Sequence, residues 1–136
     1  MTGKERGSEV MMERPTVYNY LDYRQFLKEM VAYRKQKNPG FSYRAFSRLA
    51  GFKSPNFLQL VINGQRNLSN ESVAKITRGF GLKKQERDFF ENMVFMNQAK
   101  SHEEKDHYYK KMKGARGYTK INRLEKEQYE YFSRWY

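Results

Sequence analysis

Asn56 and Gln59 stand three positions apart in the run Ser54-Pro55-Asn56-Phe57-Leu58-Gln59. Each side-chain amide holds a donor and an acceptor side by side, the pattern that pairs with the N6 and N7 edge of an adenine. Near them in sequence lie Arg44, Lys53, Asn63, Arg66 and Asn67, whose cationic and amide groups suit phosphate oxygens. Double-stranded DNA fits such a set, provided one short element carries the two amides outward and the cations flank it. Metal and catalytic patterns fare worse. His102-Glu103-Glu104-Lys105-Asp106-His107 resembles the H-E-x-x-H zinc pattern, but its histidines are five apart. That spacing sets them ~140° apart around a helix, off any shared ligand face. His102 and Asp106 do share a face, without a third ligand in sight. Gly79-Phe80-Gly81 lacks the strand and the third glycine of a dinucleotide loop. No nucleophile-base-acid set or paired carboxylate stands out from helix-surface charge. The residues predict a protein that is not an enzyme and uses no cofactor and no metal.

The elements that must position the amides read as a helix-turn-helix. Ser42 can cap a first helix with Ala45, Phe46, Leu49 and Ala50 at helical spacing, and Gly51 ends it. A second helix follows, with Ser54 as N-cap, Pro55 at the first helical position, an apolar stripe of Leu58, Val61 and Ile62, and Gly64 at its end. A third starts at Ser69 and buries Val73, Ile76 and Phe80. Two short helices joined by a tight Gly-containing turn form the unit that lays its second helix in the DNA major groove. By position, Ser54, Pro55, Asn56 and Gln59 are then the base-reading residues. Arg44, Lys53, Asn63, Arg66 and Asn67 are the phosphate-binding ones. Phe57 and Leu60 widen the apolar surface of the second helix beyond one stripe. Either they meet thymine methyl groups or the helix presses on a protein partner.

Charge points the same way. The chain of 136 residues has a formal net charge of +12, which attracts polyanions. Residues 40–87 hold nine Lys and Arg against Glu71 and Glu86, whereas residues 88–136 hold ten against eight acids. The excess therefore concentrates on the helix-turn-helix stretch, which solubility alone does not require. One domain's worth of chain with 38% hydrophobic and 16% aromatic residues supports one modest core. Cysteine is absent, so disulfides and thiolate metal sites are excluded, in keeping with a reducing cytoplasm. No apolar run approaches the ~18 residues of a membrane span, and the N-terminus lacks a signal-peptide core.

Strand signals are nearly absent, and the pattern predicts an all-α chain of six or seven helices. Residues 1–14 are polar and aperiodic and read as a disordered leader. Tyr20 to Lys37 places Tyr23, Phe26, Leu27, Met30, Val31 and Arg34 near one helical face, stopped by Asn38-Pro39-Gly40. Its rings are read as core. After Gly81, Lys83-Lys84-Gln85-Glu86 opens a helix with Phe89, Phe90, Met93, Val94 and Met96 at helical spacing to about Lys100. Ser101-x-x-Glu104 begins a charged helix with Tyr108, Tyr109 and Met112 on one side, ending near Gly114. Gly114 to Gly117 is a candidate linker. A last helical pattern from about Asn122 gathers Leu124, Gln128, Tyr129, Phe132, Trp135 and Tyr136. These rings need a surface to cover them, supplied by a missing part of a longer chain, by the domain's own core or by a second subunit.

The run Arg-x-Phe-x-x-x-Ala-Gly from Arg44 to Gly51 and the run Asn-Gly-x-Arg-x-Leu-Ser from Asn63 to Ser69 resemble the lambda-repressor-like (Xre-type) helix-turn-helix. The turn here carries one residue more than is usual in that family, near Lys53. With Tyr20-Leu21-Asp22-Tyr23-Arg24-Gln25-Phe26-Leu27 in front and Gln128-Tyr129-Glu130-Tyr131-Phe132-Ser133-Arg134-Trp135-Tyr136 at the end, Thr16 to Tyr136 more widely resembles the first half of a bacterial family found in predatory bacteria and their relatives, in which such a module precedes a C-terminal region of unassigned function. The resemblance implies a five-helix DNA-binding domain over residues 15–100 and a helical extension or start of a second domain over residues 101–136. It further implies a cytoplasmic bacterial regulator of transcription. Modules of this size commonly engage two half-sites, so a homodimer is expected. The alternative is a helix-turn-helix fold used only for protein contacts.

Overall fold

Side-chain caps decide where most of the helices begin. The computed structural model describes residues 12–115. After a 3-10 turn at Val17–Asn19, six helices follow: α1 (Tyr23–Lys37), α2 (Tyr43–Ala50), α3 (Phe57–Ile62), α4 (Asn70–Gly79), α5 (Lys84–Asn97) and α6 (His102–Lys113). Among the described residues there is no strand, and the fold is all-α. Ser42, Ser69 and Ser101 accept from the backbone N–H groups of Ala45, Ser72 and Glu104, which satisfies one orphan donor at each helix start. The Glu86 carboxylate does the same for Lys83 N–H at 2.8 Å. Helix α1 starts at Tyr23 rather than at Tyr20, because Asp22 caps it from Arg24 N–H and the three residues from Val17 close a 3-10 turn first.

One core joins all six helices. Tyr23, Phe26, Phe46, Phe80, Phe89 and Phe90 are at most 2% exposed, each contributing ~1.5–3 kcal/mol by its burial. Tyr109 and Met112 bring α6 into the same cluster, and Phe95 meets Tyr108 across the α5–α6 pair with ring centroids 5.7 Å apart. Helix α4 crosses close to α2 at Gly79, where a Cβ would lie 2.8 Å from the Phe46 ring. Met12, at the start of the described residues, donates its N–H to Gln36, and Arg14 pairs with Glu86 at 3.5 Å.

The C-terminal end of α5 ties distant segments together. Asn97 accepts from Tyr23 N–H and donates to the Leu21 carbonyl, both at 2.9 Å. Gln98 accepts from Leu68 N–H at 2.8 Å and donates to the Leu68 carbonyl at 2.9 Å, pairing with that residue as a β-strand neighbour would. The Tyr23 hydroxyl donates to the same Gln98 oxygen at 2.8 Å. Burial pushes the Tyr23 phenol up to about 12.

Helix α2 departs from the apolar face expected of it. Phe46 and Ala50 are buried, but Ala45 and Leu49 face outward, Leu49 at 68% exposure. Ser47 is buried in their place, its hydroxyl donating to the Pro55 carbonyl at 3.2 Å. Residues 1–11 of the leader expected over residues 1–14 lie outside the described residues, as do the final helix expected from Asn122 and Arg116 and Gly117 of the linker.

Candidate nucleic-acid interface

Gly51, at φ +92°, ends α2 in the left-handed region, and Gly64, at φ +83°, turns the chain after α3. Both positions need a residue without a Cβ. Between them the second helix is shorter than expected. Ser54 does not cap it and Pro55 is not its first residue: α3 begins at Phe57, and Ser54 to Asn56 form a turn closed by Phe57 N–H to Ser54 C=O at 3.4 Å. The Pro55 carbonyl, which a helix starting there would give to its own fourth neighbour, is taken by Ser47 instead. The first helical bond across this cap runs from Leu60 N–H to Asn56 C=O at 3.0 Å.

The two faces of α3 differ in kind. Leu58 and Val61 are fully buried. Phe57 stacks on Phe52, ring centroids 4.5 Å apart and 26° from parallel, with the Lys75 ammonium 5.4 Å from the Phe52 ring. Ile62 also packs against the core, whereas Leu60 is half-buried and outside that cluster. At 100° per residue, Asn56, Gln59, Leu60 and Asn63 fall within an arc of about 100° on the outward side. Asn56, Gln59 and Asn63 are exposed there. Asn56 is steadied by the Ser54 hydroxyl, which donates to its Oδ1 at 2.7 Å.

Cations stand on α2, on the turn before α3 and on the loop after it. Arg44, Lys53 and Arg66 are exposed, and so is Arg48, one turn beyond Arg44 on α2. Arg44 and Arg48 stand within about 100° of Ser47 on the α2 wheel, so they flank the side that touches the Pro55 turn. Among the described residues none of these four has a carboxylate partner, whereas Lys75 and Lys84 are paired with Glu71 and Asp88. Arg48 was legible as a cation four residues after Arg44; its exposure was not.

The loop from Asn63 to Leu68 carries the remaining predicted contacts. Asn63 N–H closes on Gln59 C=O at 3.0 Å as the C-cap, leaving its side chain outward. The Asn67 side chain is partly committed, because its Oδ1 accepts from Arg24 at 2.7 Å. The same guanidinium donates to the carbonyls of Arg66, at 2.8 Å, and Val61.

The histidines sit elsewhere, both exposed on α6, with the His107 ring 4.9 Å from that of Tyr108. Among the described residues no three His, Cys, Asp or Glu gather as a metal set. A concavity of about 770 Å³ between α5 and α6 is lined by residues such as Asn70, Asp88, Phe95 and Tyr108, and by none of the amides or cations above. No described helix is long and apolar enough to cross a membrane. Comparison with known protein families, with curated proteins and with solved structures finds no match for this chain.

Proposed function

We propose that this chain binds double-stranded DNA in a sequence-dependent manner, with α3 in the major groove, and that it serves transcriptional control in a bacterial cytoplasm. The observation that carries the reading is the outward face of α3. It offers the amides of Asn56, Gln59 and Asn63 within one arc, with the exposed cations Arg44, Arg48, Lys53 and Arg66 on α2, on the turn before α3 and on the loop after it. Asn56 and Gln59 read adenine edges, and Ser54 and Pro55 bring the backbone of the preceding turn to the groove wall. Leu60, the apolar member of the arc, meets a thymine methyl. The cations, with Asn63 and Asn67, hold phosphates and set the register.

The packing of Phe57 and Ile62 on the core supports this reading over a protein-binding helix, since it leaves only Leu60 of the apolar excess facing outward. One helix spans only a few base pairs, so two copies on half-sites about one DNA turn apart give the affinity a regulator needs. Selection from a random duplex pool tests the reading, run on the parent chain and on Asn56→Ala, Gln59→Ala, Leu60→Ala and Arg66→Ala. A short motif should enrich. Each of the first three variants should relax one base position, and Arg66→Ala should weaken all sequences alike and flatten the salt dependence by about one unit. Failure of any motif to enrich would leave only non-specific attraction and overturn the proposal.

A further inference from the structure

Arg24 occupies the first turn of α1, where the helix dipole disfavours a cation and nothing in local helix formation asks for one. Its guanidinium crosses instead to the far end of the helix-turn-helix. There it meets three acceptors: the Val61 carbonyl in the last turn of α3, the Arg66 carbonyl and the Asn67 Oδ1. All three are neutral. The geometry uses the planar fork of arginine, which a lysine ammonium cannot reproduce. The guanidinium also lies 4.8 Å from the centre of the Tyr23 ring, whose hydroxyl reaches Gln98. Gln98 in turn holds both backbone groups of Leu68. Arg24 thus grips the loop on both sides, at Val61 before it and at Arg66 and Asn67 at its end, and Gln98 fixes Leu68 just beyond.

We propose that Arg24 is the positioning residue of this loop: it fixes the backbone from which Asn63 and Arg66 reach outward, and it orients Asn67 so that the amide nitrogen is the group left to meet a phosphate. The inference rests on the DNA reading above. It assigns a role to a residue outside the helix-turn-helix that touches no nucleic acid. Without the fork, the Val61 and Arg66 carbonyls turn to water, and the loop samples orientations in which its phosphate ligands no longer match the register of Asn56 and Gln59 on α3.

Two variants and two readouts test it. Arg24→Gln removes the charge, and Arg24→Lys keeps the charge but not the fork. Hydrogen exchange on the free chain reads the loop directly at Gly64 and Gln65, whose N–H groups bond to the Val61 and Leu60 carbonyls. Both variants should exchange there ~10-fold faster than the parent, with α5 amides unchanged as the control for global folding. Affinity for the selected duplex should fall ~10-fold in both, together with the discrimination against a shuffled duplex. If Arg24→Lys keeps parental affinity, Arg24 acts as a charge on DNA and the proposal falls. If the loop exchanges no faster in either variant, there is no clamp and the proposal falls. If exchange rises in both variants but the parent itself prefers no duplex, the clamp stands as a structural feature, and it is the DNA reading, with the positioning role built on it, that is overturned.

Discussion

Replacing Gln98 with alanine should cost this small domain about 2–3 kcal/mol, although Gln98 is only half-buried and belongs to no apolar stripe. Its amide makes three hydrogen bonds, two with the backbone of Leu68 and one from the Tyr23 hydroxyl. A neutral hydrogen bond is worth about 1 kcal/mol net, and water entering the gap recovers part of the loss. For a domain of this size that corresponds to a fall in Tm of roughly 10–20 °C. Urea denaturation followed by far-UV circular dichroism measures it. Gln98→Glu provides the control, because it keeps the shape and replaces the donor facing the Leu68 carbonyl with an acceptor. The folded state then favours the protonated carboxyl, so its pKa is raised above the ordinary glutamate value of about 4.3. The penalty should be full above that raised value and shrink as the pH falls through it toward 4.3. A cost below about 0.5 kcal/mol for Gln98→Ala, or a pH-independent penalty for Gln98→Glu, would refute the pairing of Gln98 with Leu68.

Gly79→Ala, ordinarily a favourable change within a helix, should destabilise by about 1–3 kcal/mol because the added Cβ meets the Phe46 ring at 2.8 Å and the Ala50 Cβ at 3.2 Å; a neutral or stabilising result in chemical denaturation would show that the helices can separate there. Leu49→Gln should change stability by no more than about 0.5 kcal/mol, whereas Phe46→Ala, one turn earlier on the same helix, should cost about 3–5 kcal/mol. In an alkaline titration followed by phenolate absorbance, Tyr23 should be among the last tyrosines to ionise. Its folded pKa lies above the unfolded value of 10.0, so its contribution is intact below that value and is lost as the pH rises from 10.0 toward about 12. Stability that stays flat across that window would contradict the burial of its hydroxyl.

Local chemistry made much of this fold legible. Ser42, Ser69 and Ser101 announce helix starts through bonds to residues three positions on, and Gly51 and Gly64 announce ends through a backbone conformation that other residues resist. Periodicity found the cores of α1, α4 and α5 because their buried residues repeat along a single element. The misses share a different cause. The start of α3 is decided by Ser47 from a neighbouring helix, which removes the Pro55 carbonyl from helical bonding. The wheel of α2 shows Phe46 and Ala50 as its centre but cannot say on which side the core continues, and the docking of α3 through Ser47 settles that Leu49 faces out. Arg24 and Gln98 are least legible of all. They are polar side chains that bond to backbone 37 to 42 and 30 residues away, and such contacts leave no period and no motif in a sequence. The same limit applied at α3, where sequence left Phe57 and Leu60 equivalent and packing against Phe52 separated them.

The central claim, that the amide face of α3 reads bases, is tested most directly by a cycle between side chain and base pair. Affinity is measured for the parent, Asn56→Ala and Gln59→Ala on the enriched duplex and on duplexes changed at one adenine-thymine pair at a time. The account predicts that one pair couples to Asn56 and a neighbouring pair to Gln59, each by about 1–3 kcal/mol, with the remaining pairs uncoupled. Equal losses at every pair, with no coupling to either amide, would contradict it.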